Sequence, residues 1–251
     1  MPPSYVFIVP YRDRIPHLTF FRKYMSYVME DYDKDSYLIL YVHQKNNLPF
    51  NRGAMKNMGF IYIKETYPED YSSMILIFND VDTVPYEKNL LNYDVSFGEI
   101  KHFYGFKFVL GGIVSIRARD FEQLNGFPNY WNWGFEDNEL QRRALKKEIP
   151  INRSQFYTID SMEILHFMDS MQKTIERRNI RKFSNPHYHE KDGIQSLEKY
   201  HYEYEAHTSM LHVTTFKSLY NPSDKIIYHN IMDGPNIRDS RRGNMSMKFF
   251  K

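Results

Sequence analysis

Residues 74–82 read MILIFNDVD, an apolar run that ends in two aspartates. Successive apolar residues followed by Asp80 and Asp82 form the pattern of a strand that is buried on both faces and emerges at a sheet edge. Ligands of a parallel α/β sheet bind outside the carboxyl ends of its strands, where two carboxylates suit Mg²⁺ or Mn²⁺ carrying a phosphate ester. The competing interpretation is a solvated turn, which Asp-x-Asp forms more often than a metal site.

Strands and helices alternate along the N-terminal part of the chain. Short apolar runs at residues 5–9 and 37–42 predict two further strands, and apolar residues at helical spacing predict helices over residues 15–28 and 53–64. This order predicts a parallel sheet with right-handed crossovers, the nucleotide-binding half of a Rossmann-like domain. A dinucleotide is not expected, because no Gly-x-Gly-x-x-Gly follows the first strand.

Basic side chains stand where these strands end. Arg12 and Arg14 follow the first strand, and Arg52 precedes the second helix. These cations can converge with the aspartates of residues 74–82 at one sheet edge, an arrangement that suits a metal-bridged diphosphate. The alternative is that the arginines pair with nearby acids such as Asp13.

Beyond Asp82 the alternation weakens. Residues 101–110 are aromatic-rich and strand-like, the glycine pair at residues 111–112 allows close backbone approach, and a strand resumes at residues 113–116. A further strand is predicted at residues 162–166.

Both tryptophans of the protein lie in one glycine-flanked segment, residues 125–139, which reads NGFPNYWNWGFEDNE. The acids at its end open a predicted helix whose last turn is basic, and a helix cap with charges that complement the dipole explains them. That explanation does not account for Trp131 and Trp133. Aromatic faces beside carboxylates are typical of a sugar-binding site.

The composition sets further bounds. A chain of 251 residues with 42% hydrophobic and 25% charged residues can bury one sizeable core. A net charge of +2 without a long basic run predicts no nucleic-acid partner. Cysteine is absent, which excludes disulfides and thiolate metal sites, and no apolar stretch approaches the ~20 residues of a membrane span. We therefore expect a cytoplasmic or otherwise soluble intracellular protein, without a signal peptide or anchor.

Several motifs occur in the order and approximate spacing of the β-1,4-galactosyltransferases, whose catalytic domain the chain resembles over about residues 5–216. The motifs are PYRDR at 10–14, FNR at 50–52, FNDVD at 78–82, GG at 111–112, NGFP at 125–128, WNWGFED at 131–137, His166 and DGIQSL at 192–197. The resemblance implies an α/β protein with the GT-A fold, which has a Rossmann-like nucleotide-binding half and a mixed central sheet. It also implies a UDP-sugar donor, Mn²⁺ and inversion at the anomeric carbon.

The resemblance also implies roles for individual residues, with Asp137 as the catalytic base at the acceptor hydroxyl. The donor-binding positions are Pro10, Tyr11, Arg12, Arg14, Phe50, Asn51, Arg52, Asp80, Val81, Val109, Gly112 and Trp133. The acceptor-binding positions are Gly134, Phe135, Glu136, Asp137 and Arg178. The metal ligands are Asp82, Glu163 and His166. The competing interpretation of His166, at the end of a strand, is a structural role.

The chain departs from the family pattern at four positions. Glu163 replaces a softer metal ligand, so Mg²⁺ is expected beside Mn²⁺. Asn138 replaces the acid after the base, and Phe135 replaces a glycine. Val109 stands where galactose-using members have a tyrosine, which favours an N-acetylated donor sugar.

The sequence therefore predicts an inverting glycosyltransferase that moves a hexose or N-acetylhexosamine from a UDP-sugar to a sugar or glycan hydroxyl. We expect a catalytic domain at residues 1–216 and a C-terminal extension at residues 217–251. The first rival is a catalytically silent sugar- or nucleotide-binding module of the same fold. The second is a metal-dependent phosphotransferase or nuclease, which would leave the tryptophan loop unexplained.

Overall fold

Helices and strands alternate at the start of the chain in the computed structural model, as predicted. The structure describes residues 2–168, 171–184, 191–233, 236–239 and 243–246. Its α-helices are α1 Ile15–Val28, α2 Arg52–Thr66, α3 Ala118–Gln123, α4 Glu136–Lys146 and α5 Arg177–Ser184. Its strands are β1 Tyr5–Tyr11, β2 Tyr37–Gln44, β3 Ile75–Asn79, β4 Thr83–Pro85, β5 Ile100–Gly105, β6 Ile113–Arg117, β7 Ile151–Asn152, β8 Tyr157–Thr158, β9 Ile164–His166, β10 Gln172–Glu176, β11 Glu198–Glu205, β12 Met210–Lys217, β13 Ile226–Asn230, β14 Asn236–Asp239 and β15 Gly243–Ser246.

The central sheet is mixed. Within the described part of the chain it has nine strands, in the order β11-β12-β2-β1-β3-β6-β5-β7, with β8 also paired to β5. Strands β12, β2, β1 and β3 are parallel, whereas β6 is antiparallel to β3 and to β5. Because β1 and β3 are parallel neighbours, the chain leaves both strands at the same sheet edge. That edge is the switch point where ligands bind in such sheets.

Alternate residues of the central strands pack on opposite faces of the sheet. Ile8 of β1 faces the core that contains α2, and Phe7 faces the core that contains α1. Every residue of β3 is buried, as expected for a strand covered on both faces. A Cβ at Gly59 would lie 2.6 Å from Cγ2 of Ile8, so this glycine lets α2 approach the sheet closely.

One predicted strand is shorter than expected. Residues 101–110 were expected to be strand-like, but β5 ends at Gly105, where φ is +130°. The Val109 amide then donates to the Phe106 carbonyl in a turn, and Gly112, at φ +73°, leads into β6. A Cβ at Gly112 would lie 2.3 Å from the Tyr104 carbonyl oxygen, so the chain turns back tightly here.

The C-terminal part of the chain contributes to sheets on both sides of the predicted boundary. Strand β12 crosses residue 216, and β13 pairs with β10 in a separate two-stranded sheet. The division at residues 216 and 217 stays a prediction, and residues 234–235, 240–242 and 247–251 of the extension lie outside the described ranges. None of the helices in the described ranges is both long and apolar enough to cross a membrane.

Candidate active site

A cavity of about 390 Å³ opens at the carboxyl edge of β1 and β3. It is lined by Pro10, Arg12, Asp13, Arg14, Phe50, Arg52, Asp80, Val81, Asp82, Asn132, Trp133, Glu136, Gln172, Lys173 and Thr174. Most of the predicted donor-binding positions are among them, together with Asp82 and Glu136. The wall formed by β10 was not predicted, because nothing in residues 172–174 signals a ligand.

Arg52 connects three carboxylates in this cavity. It begins α2, whose N-cap Asn51 accepts a 2.9 Å hydrogen bond from the Ala54 amide. Its guanidinium lies 3.1 Å from Asp80 and 2.8 Å from Glu136. The three carboxylate contacts are Nε with Asp80 Oδ1, Nη1 with Glu136 Oε1 and Nη2 with Asp137 Oδ2, the last at 2.6 Å.

These charges shift one another's protonation. Burial alone would lower the pKa of Arg52, but Asp137, Asp80 and then Glu136 raise it above its ordinary value. Burial alone would raise the pKa of Asp80, but Arg52 and then Lys56 lower it. Arg52 and Asp80 are therefore both charged at neutral pH.

Glu136 has a different environment. It is buried, and burial raises the pKa of its carboxyl despite the neighbouring Arg52. Within the described part of the chain, Oε2 makes no hydrogen bond, although Glu136 lines the cavity. A buried polar atom left without a partner at a cavity wall is suited to a polar ligand.

Asp137 lies where the glycine pair approaches α4. Its Oδ1 is 3.1 Å from Nζ of Lys56, and its backbone carbonyl accepts a hydrogen bond from the Leu110 amide. A Cβ at Gly111 would lie 2.4 Å from Oδ2 of Asp137, so any larger residue there would displace the carboxylate. Lys56 was missed from the sequence. Its spacing from Arg52 could have identified it. Residues four apart on a helix share a face, so Lys56 lies beside Arg52 on α2.

A buried histidine supports the turn that carries this glycine pair. His102 Nε2 lies 3.0 Å from the Tyr104 carbonyl oxygen and 3.1 Å from that of Gly111, and Nδ1 accepts from Nε of Arg153. Burial, and then the charge of Arg153, lower the pKa of His102 to about 3. The imidazole is therefore neutral, with its proton on Nε2 and donated to the turn.

Asp82 and His166 meet through the pairing of β4 with β9. Thr83 lies opposite His166, and the Phe167 amide donates to the Asp82 carbonyl at 2.8 Å. The Asp82 carboxylate also accepts a 2.7 Å hydrogen bond from Arg14. Asp82, just before β4, and His166, at the end of β9, supply the oxygen and nitrogen donors that suit Mn²⁺.

The hydrogen bonds of Tyr104 favour one tautomer of His166. The Tyr104 hydroxyl donates to the Ile159 carbonyl at 3.3 Å and lies 2.9 Å from Nδ1 of His166. Since a hydroxyl has a single proton, Nδ1–H of His166 donates to Tyr104, and Nε2 keeps a lone pair. A hydrogen bond from the other ring nitrogen is how metal-binding histidines are usually oriented.

Glu163, the third predicted metal ligand, lies apart from Asp82 and His166. Glu163 is exposed, and its Oε2 accepts a 2.5 Å hydrogen bond from the Ser161 hydroxyl, which lowers the pKa of Glu163. Across the described ranges, no three histidine or acidic side chains are placed to hold a metal ion. The structure therefore brings Asp82 and His166 together without Glu163, and metal binding by Glu163 stays a prediction.

The two tryptophans differ in their surroundings. Trp131 is buried, stacks on Phe216 with ring centroids 5.3 Å apart, and donates from Nε1 to the Tyr220 carbonyl at 2.6 Å. Trp133 is half-buried and lines the cavity, and its amide donates to the Thr174 carbonyl. Only Trp133 is therefore placed to contact a ligand.

The remaining predicted positions lie outside the cavity wall. Tyr11 packs in the core, and Phe135, at φ +74°, packs against Phe183. Val109 and Gly112 lie in the turn beside Asp137, and Gly134 lies between Trp133 and Phe135. Arg178 donates to Glu176 at 2.6 Å and to the Asn221 carbonyl.

Of the predicted arginines, Arg12 does pair with Asp13, as the alternative interpretation proposed, at 3.3 Å.

Comparisons with known proteins identify relatives. The family model described as the N-terminal region of glycosyl transferase group 7 matches residues 3–94, and the N-terminal domain of galactosyltransferase matches residues 93–167. The xylosylprotein 4-beta-galactosyltransferase of Caenorhabditis elegans is 30% identical over 163 residues, which are 61% of this chain and 54% of the relative. The beta-1,4-galactosyltransferase 1 of Mus musculus is 28% identical over 207 residues, 78% of this chain and 50% of the relative. The chain thus spans about half the length of these curated relatives.

Solved structures share the fold. The catalytic domain of Drosophila beta1,4galactosyltransferase 7, in complex with xylobiose, has a TM-score of 0.67 at 21% identity and covers 93% of this chain and 98% of that one. A mutant of that enzyme in complex with manganese, UDP-Gal and xylobiose has a TM-score of 0.60 at 20% identity, with the same coverage. The predicted GT-A fold with a mixed central sheet is therefore confirmed. Two consecutive family models, the relatives and the motif order agree, and the chain belongs to the β-1,4-galactosyltransferase family.

Proposed function

We propose that this chain is a metal-dependent, inverting glycosyltransferase that moves a galactosyl or N-acetylhexosaminyl group from a UDP-sugar to the hydroxyl of a saccharide or glycan. One observation carries the proposal: Arg52 joins Asp80, which follows β3, to Glu136 and Asp137, which begin α4. Donor and acceptor groups are thereby assembled within the reach of one side chain. The galactosyltransferase relatives support the same reaction class.

The residues at the strand ends fit the donor. Arg12, Arg14 and Phe50 line the cavity beside Asp80, so cations and an aromatic ring surround the space for a nucleotide diphosphate. Asp82 and His166 would hold the manganese ion, as the bound manganese and UDP-Gal of the Drosophila neighbour support. When bound, this ion stabilises the negative charge on the departing UDP.

Asp137 fits the role of general base. In an inverting reaction the acceptor oxygen attacks the anomeric carbon from the face opposite the UDP, and its proton moves to a carboxylate as the bond to UDP breaks. Asp137 follows Glu136, which lines the cavity, at the start of α4, and it pairs with Arg52, which also lines the cavity. The xylobiose bound to the Drosophila neighbour supports a sugar as the acceptor.

The donor sugar depends on space near the glycine pair. Val109 is half-buried in the turn before residues 111–112, beside Asp137. A valine in place of a tyrosine removes about an acetamido group's volume, and an N-acetyl group filling it gains apolar contact worth roughly 1–3 kcal/mol. We propose that UDP-N-acetylgalactosamine is accepted beside UDP-galactose.

A panel of UDP-galactose, UDP-N-acetylgalactosamine and UDP-N-acetylglucosamine, each with Mn²⁺ or Mg²⁺, tests the proposal through UDP release. We expect release to rise when an acceptor sugar such as xylobiose is added. UDP binding without any turnover would instead identify a silent binding module. Cleavage of phosphate esters without sugar transfer would identify a phosphotransferase or nuclease.

The cellular location is a separate proposal. A chain without cysteine is compatible with a reducing compartment, and this supports a cytoplasmic or other soluble intracellular location. Fractionation of cells that express the full-length protein tests it, and recovery from a membrane-enclosed lumen would contradict it.

A further inference from the structure

Lys56 is a fully buried cation that none of the predicted roles uses. It lies on α2 with no exposed surface, one turn after Arg52, and its Nζ is 3.1 Å from Oδ1 of Asp137. The same Nζ lies 4.3 Å from the ring centroid of Phe127 and 6.0 Å from that of Phe78. The ammonium group therefore fits between two aromatic rings and one carboxylate.

Packing alone does not account for a lysine at this position. Every residue of α2 from Gly53 to Ile61 is buried, and an apolar side chain would suit the rings of Phe78 and Phe127. Removing an ammonium group from water is costly unless a partner of opposite charge compensates it. Its partner here is Asp137, so the lysine serves the carboxylate rather than the core.

Lys56 and Arg52 hold Asp137 in different ways. Arg52 lines the cavity and also contacts Asp80 and Glu136. Lys56 lies behind the cavity wall, and Asp137 is its only ion-pair partner within the described ranges. A phosphate in the cavity can therefore reach Arg52, whereas Lys56 is covered and paired with Asp137.

We propose that Lys56 is the positioning residue of the base, an inference that rests on the proposed transferase function. Lys56 engages one lone pair of Oδ1 and fixes the side-chain rotamer of Asp137. The lone pairs that remain on the carboxylate accept the proton of the acceptor hydroxyl. The acceptor oxygen forms its bond to the anomeric carbon while the bond to UDP breaks. Lys56 keeps its own proton.

The test replaces Lys56 by methionine, which has nearly the same length without the charge. We expect Lys56→Met to lower kcat by about 10- to 100-fold, the effect of losing a charge-assisted hydrogen bond. The KM of the donor and the Kd of UDP with Mn²⁺ should stay within about twofold, because Lys56 does not line the cavity and its ion pair is with Asp137. Lys56→Gln keeps a hydrogen-bond donor, so its kcat should lie between those of the wild type and Lys56→Met.

Lys64→Met is the matched control on the same helix. Lys64 also pairs with an acid, Glu122, and lies 5.2 Å from the ring centroid of Tyr71, but it is partly exposed and remote from the cavity. We expect its kcat to equal that of the wild type. Thermal unfolding and UDP binding show whether each variant is folded.

A double-mutant cycle separates positioning from a purely structural role. In an Asp137→Asn background, Lys56→Met should change kcat by less than about twofold, because residues that act as a unit are not additive. Additive losses, or a Lys56→Met kcat equal to that of the wild type, would overturn the inference while leaving the proposed function intact. A wild type that transfers no sugar from any UDP-sugar would overturn both.

Discussion

At the scale of single residues, two aspartates of the cavity have different partners and should respond differently to substitution. Asp137 contacts Lys56 and Arg52, whereas Asp82 contacts Arg14 and immediately precedes Thr83, which pairs with His166. We expect Asp137→Asn to retain UDP binding and to slow transfer by ~10²–10⁴, the usual contribution of a positioned general base. UDP release kinetics and UDP titrations measure both quantities.

Asp82→Ala is the contrasting variant. It removes a proposed metal ligand, so we expect it to weaken the Mn²⁺-dependent binding of UDP itself. Near-normal turnover by Asp137→Asn would contradict its assignment as the base.

The sequence predicted the acids of the site better than their partners. The apolar run placed Asp80 and Asp82 at one sheet edge, and the family resemblance assigned Asp137 to the acceptor side, because strand ends and loop ends have local signatures. Lys56 was missed, since its contact with Asp137 joins positions 81 residues apart. The spacing placed Glu163 near His166, but a hydrogen bond from Ser161 sets its side-chain direction, and no residue pattern encodes that choice.

At the scale of elements, the loop around Trp133 is held to β10 by backbone contacts. The Trp133 amide donates to Thr174, and Asn132 forms a bridge with Ile175. Gly134 follows at φ +102°, a backbone conformation that favours glycine, so this position gives the loop conformational freedom. We propose that it closes over the donor.

The two tryptophans make this closure measurable. Trp131→Phe leaves Trp133 as the sole tryptophan, and we expect its fluorescence to change when UDP and Mn²⁺ bind, because closure excludes water from the ring. Trp133→Phe is the matched control, in which the buried Trp131 should give no change. Equal signals from both variants would argue against a lid.

Element order was predictable where periodicity is strong. The alternation from β1 to β3 follows from apolar runs and helical spacing, and the structure reproduces it. The end of β5 was predicted too late because aromatic residues continue through Phe108. The backbone there bends instead and brings the glycine pair against Asp137. This is a tertiary contact, which local strand propensity does not predict.

At the scale of the whole molecule, the buried His102 couples stability to pH. Its pKa of about 3 in the folded protein lies below the ordinary value of 6.5, so between these limits the unfolded chain binds more protons. The contribution of neutral His102 to the free energy of unfolding is therefore fully present above about pH 6.5. It falls as the pH is lowered towards 3, by at most ~1.4 kcal/mol per pH unit.

Denaturant unfolding at pH 7 and pH 5 tests this coupling. We expect the wild type to lose about 2 kcal/mol more than His102→Gln between these values, because the amide keeps a donor and an acceptor but does not titrate. Equal losses in the two proteins would show that other groups set the acid sensitivity.

The parallel pairing of β12 with β2 also governs how the chain folds during synthesis. His43 and His212 are adjacent in this pair although 169 positions separate them. At ribosomal rates of roughly 5–20 residues per second, the partner strand of β2 follows it by roughly 10–30 s. Through that interval β2 is an open, apolar sheet edge, the kind of surface that recruits other nascent chains. The expression yield of this protein should therefore rise with chaperone supply.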